Sequence, residues 1–383
     1  MKSKIFLLGS MNILLNNYFY QFLVFLFFLK GDFEIIAEIT FVLAPLIFFK
    51  ESFSSNQRTL LLSDKRLSLY KVFFKQRVLY ATLILIIYLF FLNYFSKSED
   101  ILFLILIVIL INYMWFNELT ITSYEINSDK KKIFVNLIFL IILYMSLTYY
   151  IFLPSKNLLY ISIIIFIFLI LKYIYINKNN FFYIFKNLKI QKKINNKTLS
   201  TISINLANLI WRIFFFVLLE KEYSGVLFSV FALMSFPSSL YSNTIGMLLE
   251  TQNKYKYAFK CILMIYYFFI LYVMYYIFVN KIVPLNNSIL SNFSMTAGLF
   301  SFVGSLIMIF AISKRIKIIN SKKLKRKILF QTDIMYSIIN ILSLAIVYFL
   351  FGSYFFSILF FISSISSLIY YIYYKKLNHD EYN

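Results

Sequence analysis

Apolar stretches about 20 residues long recur along nearly the whole chain, and no other feature of the sequence limits its fold so severely. An α-helix rising about 1.5 Å per residue needs roughly that length to cross about 30 Å of hydrocarbon, with every backbone hydrogen bond made internally. On this basis spans fall near residues 5–29, 35–55, 78–95, 101–122, 133–153, 157–176, 200–219, 226–249, 261–279, 288–312, 334–351 and 354–374. The expected fold class is therefore an all-α membrane protein with about twelve transmembrane helices. With 61% of its 383 residues hydrophobic, the chain carries more apolar surface than one soluble core could cover. The first stretch exceeds a signal-peptide core and no small-residue cleavage site follows it, so it is read as a span.

A formal charge of +22 would point to nucleic acid in a soluble protein, but its distribution argues against that partner. Starting from a cytoplasmic N-terminus, the segments on the cytoplasmic side hold 32 of the 38 Lys and Arg. The opposite side holds five: Lys30, Lys97, Lys156, Lys221 and Lys281. Lys and Arg near span ends resist translocation, so both termini are expected in the cytoplasm. The longest inner loops, 56–77, 177–199 and 313–333, alternate basic residues with Leu and Ile. They suit interfacial helices on anionic membrane lipids, or topogenic charge alone.

Residues 177–199 form the longest polar break near the middle of the chain and divide six spans from six. This gives an N-terminal lobe at 1–176, a basic cytoplasmic linker at 177–199, a C-terminal lobe at 200–374 and a tail at 375–383. A shift of 192 positions superposes Pro45 on Pro237 and Asn16 on Asn208, placing a proline within the second span of each half. Proline removes a helical hydrogen bond, which is tolerated where a helix lines a polar cavity. Matched interruptions in two halves point to alternating-access transport with Pro45 and Pro237 as hinges; two simple kinks are the plainer reading.

Charges inside spans cost at least about 2.5 kcal/mol each near the membrane centre, and three qualify: Glu38, Glu118 and Arg212. Thr201, Asn205, Asn208 and Arg212 follow the spacing i, i+4, i+7, i+11 and share one helix face. A planar guanidinium offers two donors to phosphate oxygens, and neutral amides can bond sugar hydroxyls. Arg212 could instead pair with Glu38 or reach outward towards Glu220 and Glu222. Glu118, in Trp115-Phe-Asn-Glu118, suits either a coupling ion or an interfacial position beside Trp115, and Glu38 lies in the span that carries Pro45.

A single Cys, Cys261, excludes a disulfide scaffold, and a single His, His379, near the end of the chain argues against a histidine metal centre. The chain has no P-loop, no nucleotide-binding glycine fingerprint, no HExxH and no Gly-x-Ser-x-Gly. No enzyme activity, cofactor or metal is therefore expected.

Two stretches resemble a known family. The segment from Glu51 (ESFSSNQRTLLLSDKRLSLYKVFFKQR) resembles the end of the second span and the following basic loop of O-antigen and polysaccharide flippases. The run from Ile210 (IWRIFFFVLLEKEYSGVLFSVFALMSFPSSLYSNTIGMLLE) is similar to that family's seventh and eighth spans. Trp211, Arg212, Gly225, Pro237, Asn243 and Gly246 match the pattern, and Arg58 matches the basic position after the second span.

The resemblance implies the MATE-like arrangement of the multidrug, oligosaccharidyl-lipid and polysaccharide exporter superfamily, two six-helix lobes around a central cavity. It further implies movement of undecaprenyl-diphosphate-linked oligosaccharide from the cytoplasmic to the outer leaflet of a bacterial inner (plasma) membrane, for O-antigen-like surface polysaccharide. Taken with the polar stripe, the candidate substrate-binding residues are Arg212, Asn208, Asn205, Trp211, Asn16 and Arg58. Glu38 and Glu118 are the candidates for coupling to H⁺ or Na⁺. The alternatives are a multidrug antiporter of the same fold, a membrane glycan polymerase or glycosyltransferase, and an assembly partner without transport of its own.

Overall fold

The computed structural model describes residues 2–54, 57–64, 67–95, 101–152, 196–241, 266–267, 270, 288–320 and 326–380. Among them there is no strand. The expected spans at 157–176 and 261–279, most of the linker at 177–199, and Asn243 and Gly246 lie wholly or mostly outside the described residues. The helices are α1 (Lys2–Asn17), α2 (Phe19–Lys30), α3 (Phe33–Ser54), α4 (Gln57–Asp64), α5 (Leu67–Phe95), α6 (Ile101–Ile126) and α7 (Lys130–Phe152). They continue as α8 (Asn196–Leu218), α9 (Lys221–Met234), α10 (Phe236–Leu240), α11 (Ser288–Asn320), α12 (Arg326–Phe351), a 3₁₀ turn (Ser353–Ile358) and α13 (Leu359–Asp380).

Six of the described helices are long and apolar enough to cross a membrane, or seven if a bent pair counts as one span. The distribution of polarity identifies the solvent they meet. Along the apolar stretch of α12 the exposed side chains include Met335, Ile338, Leu342, Ile346 and Phe349, whereas Asp333, Ser337 and Asn340 are buried. A helix greasier outside than inside is stable only in lipid. Helix α7 likewise exposes Phe134, Ile138, Ile141, Met145 and Tyr149 while burying Ile133, Leu137, Leu140, Leu143, Leu147 and Ile151. The chain is an all-α, membrane-embedded protein.

The first apolar stretch, expected as one span at 5–29, is a pair of helices bent by 60° between Asn17 and Phe19. A side chain enters the hydrogen-bond ladder at that point. The hydroxyl of Tyr144 on α7 donates to the Leu15 carbonyl, the acceptor that the Phe19 amide would use in a continuous helix. The α2 to α3 connection is a tight cap in which Gly31 takes φ +82° and the amides of Gly31 and Asp32 donate to the carbonyls of Phe28 and Phe27.

The chain divides into two compact units, Met1–Leu26 with Pro45–Lys193, and Phe27–Ala44 with Ile194–Asn383. The division falls inside α3, between Ala44 and Pro45, so residues 27–44 group with the second unit.

In the first unit α1 packs on α6 and α7, and four asparagines join these helices. The Asn12 amide donates to the Ile133 carbonyl at 3.1 Å, Asn136 donates to Asn12 Oδ1 at 2.9 Å, and Asn117 donates to Asn16 Oδ1 at 3.2 Å. Lipid offers such amides no alternative partner, so the network sets the packing of these helices. Asn12→Leu should cost about 1–2 kcal/mol by leaving the Asn136 amide without its acceptor and removing the bond to the Ile133 carbonyl, measurable as reduced thermal stability of the purified protein. Asn136→Leu in the same background should then cost less than it does alone.

In the second unit α11 runs along α13 through small residues. Ser294, Ala297, Ser301 and Ser305 are buried on α11, and Ser363, Ser364 and Ser367 on α13. A Cβ on Gly304 would stand 2.9 Å from Phe360 Cδ1 and 3.1 Å from Phe361 Cα, so glycine there permits the close approach.

Candidate functional site

The described structure pairs charged groups within each unit. In the first, Arg77 on α5 is 0% exposed. Its Nε donates to Gln57 Oε1 at 2.9 Å, its Nη1 to the Trp115 carbonyl, and its Nη2 stands 3.0 Å from Glu118 Oε2. The guanidinium also lies 5.6 Å from the centroid of the Trp115 ring. One side chain thus fastens α4, α5 and α6. Glu118, a candidate coupling carboxylate, is the acidic partner of that arginine.

Arg58 on α4, matched by resemblance to a substrate position, makes two hydrogen bonds to Glu125 of α6, at 3.1 and 3.0 Å. Glu125 reaches this position because Gly9 of α1 has no side chain; a Cβ there would lie 1.8 Å from Glu125 Oε1. Asn16 is buried among the amides described above. Arg58 and Asn16 therefore act in helix packing in this state.

The second unit has a buried cluster of its own. Asp333 of α12 is 0% exposed and accepts from Arg315 Nη2 at 2.9 Å, from Tyr371 Oη at 2.7 Å and from Ser200 Oγ. Arg315 Nη2 also donates to Ser200 Oγ at 3.0 Å. These residues come from α8, α11, α12 and α13, so the cluster ties four helices together. Arg77, Glu125, Arg315 and Asp333 all fall just outside the apolar windows read from the sequence, which is why none stood out there. Their signal is opposite charge at the ends of neighbouring helices.

Helix α8 carries the polar stripe, and it has three distinct faces. Ala207, Trp211 and Phe215 are buried, and Trp211 Nε1 donates to the Asn340 carbonyl of α12 at 3.0 Å. Trp211 is therefore a packing anchor. Leu206, Ile213 and Val217 are exposed and form the apolar line. At about 100° per residue, the line of Thr201, Asn205, Asn208 and Arg212 is turned roughly 90° from the packed face and about 120° from the apolar line. Asn205 is buried, Thr201 and Arg212 are half-buried and Asn208 is exposed. On the flank of α8 beyond this line, Phe216 stacks on Phe41 of α3 with ring centroids 4.2 Å apart and planes at 20°.

Glu38 pairs with Lys221 at the start of α9, Nζ to Oε1 2.8 Å. The hydrogen bond to Glu38 raises the lysine pKa above its ordinary value, with burial opposing it. A raised cation pKa means this contribution is complete below the ordinary lysine value and fades only as pH climbs through the higher folded one. Pro45 lies inside α3, whereas Pro237 opens α10 after the chain breaks at Ser235. Among the described residues no group of three or more His, Cys, Asp or Glu could hold a metal ion.

Comparison with known proteins finds no matching family model, no matching curated protein and no matching solved structure.

Proposed function

We propose that the protein is a flippase that carries a polyprenyl-diphosphate-linked oligosaccharide from the cytoplasmic to the outer leaflet of a bacterial inner membrane. In this reading two six-helix, MATE-like lobes alternate access to a central cavity, both termini are cytoplasmic, and the lipid tail stays in the bilayer while the glycan crosses. The observation that carries it is the arrangement of α8, where a line of two amides, a hydroxyl and a guanidinium is turned well away from the exposed apolar line. An arginine on one helix face with neutral amides suits diphosphate oxygens followed by sugar hydroxyls.

Deleting the gene should cause glycolipid to accumulate in the inner leaflet with its glycan unchanged in length. Accumulation of a shorter, unpolymerised glycan already exposed on the outer leaflet would favour the polymerase reading instead.

A further inference from the structure

We propose that Ser200 and Trp211 are positioning residues, two anchors on α12 that fix the rotation of α8 about its own axis and so set where the line of Thr201, Asn205, Asn208 and Arg212 points. Both bonds lie within the second unit, and both are buried. Ser200 Oγ donates to the Asp333 carboxylate, and Trp211 Nε1 donates to the Asn340 carbonyl at 3.0 Å.

The anchors share one face of α8. Eleven residues at about 100° each return to within about 20° of the starting direction, and at about 1.5 Å per residue the anchors stand about 16.5 Å apart along the axis. Their partners Asp333 and Asn340 are about two turns apart on α12, again within about 20° of one line. Both members of each pair rise together in number, at sequence separations of 133 and 129, so the two helices run parallel where they pack. Ala207, one turn before Trp211, is buried on the same face and adds no bulk that would hold the helices apart. A single hydrogen bond lets a helix pivot about it; two on one line do not.

Directional contacts are needed because hydrophobicity does not fix the rotation. Lipid is as apolar as the side chains it meets, and α8 carries apolar residues beyond its exposed line, among them Ile210, Phe214 and Phe216. Turning the helix would exchange one such set for another. The hydrogen bonds have no such substitute, since hydrocarbon offers an indole N–H no other acceptor. Ser343 also donates to the Asn340 carbonyl, at 2.8 Å, so loss of the indole donor does not leave that acceptor empty. Arg212 follows Trp211 in the chain and stands about 100° around the helix from it, so its direction is inherited from the anchor. On the flippase reading, on which this consequence rests, Trp211 serves transport by aiming Arg212 and not by touching the glycan.

The test reads the rotation itself and requires no glycolipid. With Cys261→Ser as background, spin labels are placed at the exposed positions Val217→Cys on α8 and Met335→Cys on α12, and their distance distribution is recorded by pulsed electron paramagnetic resonance in lipid nanodiscs. The parent should show one dominant distance. Trp211→Phe, which keeps a ring in the contact, should raise the ratio of displaced to parent populations by about 2- to 13-fold, the range for one neutral hydrogen bond. Ser200→Ala, which removes a bond to a carboxylate, should raise it at least as much, and the double variant should exceed either. Distributions superposable on the parent in all three variants would overturn the clamp. A shift confined to one single variant would also overturn it, because one anchor would then hold the helix alone. A glycan that proves not to be transported would leave this result standing, so the two failures are distinguishable.

Discussion

Arg315→Met is expected to lower the stability of the second unit by about 3–5 kcal/mol, because it leaves the Asp333 carboxylate buried without its cation. Asp333 is 0% exposed, and its remaining donors, Tyr371 and Ser200, are neutral. They can share the charge but cannot neutralise it. Replacing both members, Arg315→Met with Asp333→Leu, should recover a large part of the loss, since an apolar pair of similar volume avoids desolvating two ions. Unfolding in mild detergent, compared across the two single variants and the double, gives the coupling between the sites. Losses that simply add would show that the cluster is not the tie between α8, α11, α12 and α13.

The same cluster shows what the sequence makes legible and what it hides. Helix positions are readable because a membrane span must be apolar over a minimum length, and the expected spans at 101–122, 133–153 and 200–219 coincide with α6, α7 and α8 to within a few residues. Hydropathy windows end where charge begins, so they cut off the groups that fasten the helices. Asp333 lies one residue before an expected span, Arg77 one residue before another, and Arg315 and Glu125 three residues beyond two others. In the structure the helices continue past those limits, and the charges turn inward to one another. Partnership between distant residues has no local signature. Glu38 could be suspected of needing a cation, but nothing in the sequence distinguishes Lys221 from Arg212.

The asparagines were concealed differently. In a chain so rich in Asn, any one of them looks like background, and Asn16 drew notice only through its match to Asn208 under the 192-residue shift. Asn12, Asn117 and Asn136 gain meaning from three helices converging on one place. The bend after Asn17 is equally non-local, since it depends on Tyr144, more than a hundred residues along the chain. The polar stripe on α8 was legible because its spacing is a property of one helix. Its separation from the exposed apolar line is the part only a structure could add.

Arg212 carries the largest effect on activity. A guanidinium that grips a diphosphate through two charge-assisted hydrogen bonds contributes about 3–6 kcal/mol, equivalent to at least about a 100-fold change in binding or rate. Arg212→Ala should therefore reduce transport, per molecule inserted, by about 100-fold or more. Arg212→Lys, which keeps the charge and loses the planar fork, should fall between the two. Asn208→Ala, removing one neutral donor on the same line, should cost about tenfold or less.

The decisive measurement is movement of a labelled diphosphate-linked oligosaccharide in proteoliposomes, scored by the fraction accessible to an added glycosidase, for the natural chain beside Arg212→Ala. The flippase account predicts that the natural chain makes the interior pool of glycolipid accessible, with its glycan unaltered, and that Arg212→Ala leaves that pool protected. Equal accessibility for the two proteins, or none above protein-free vesicles for either, would contradict it.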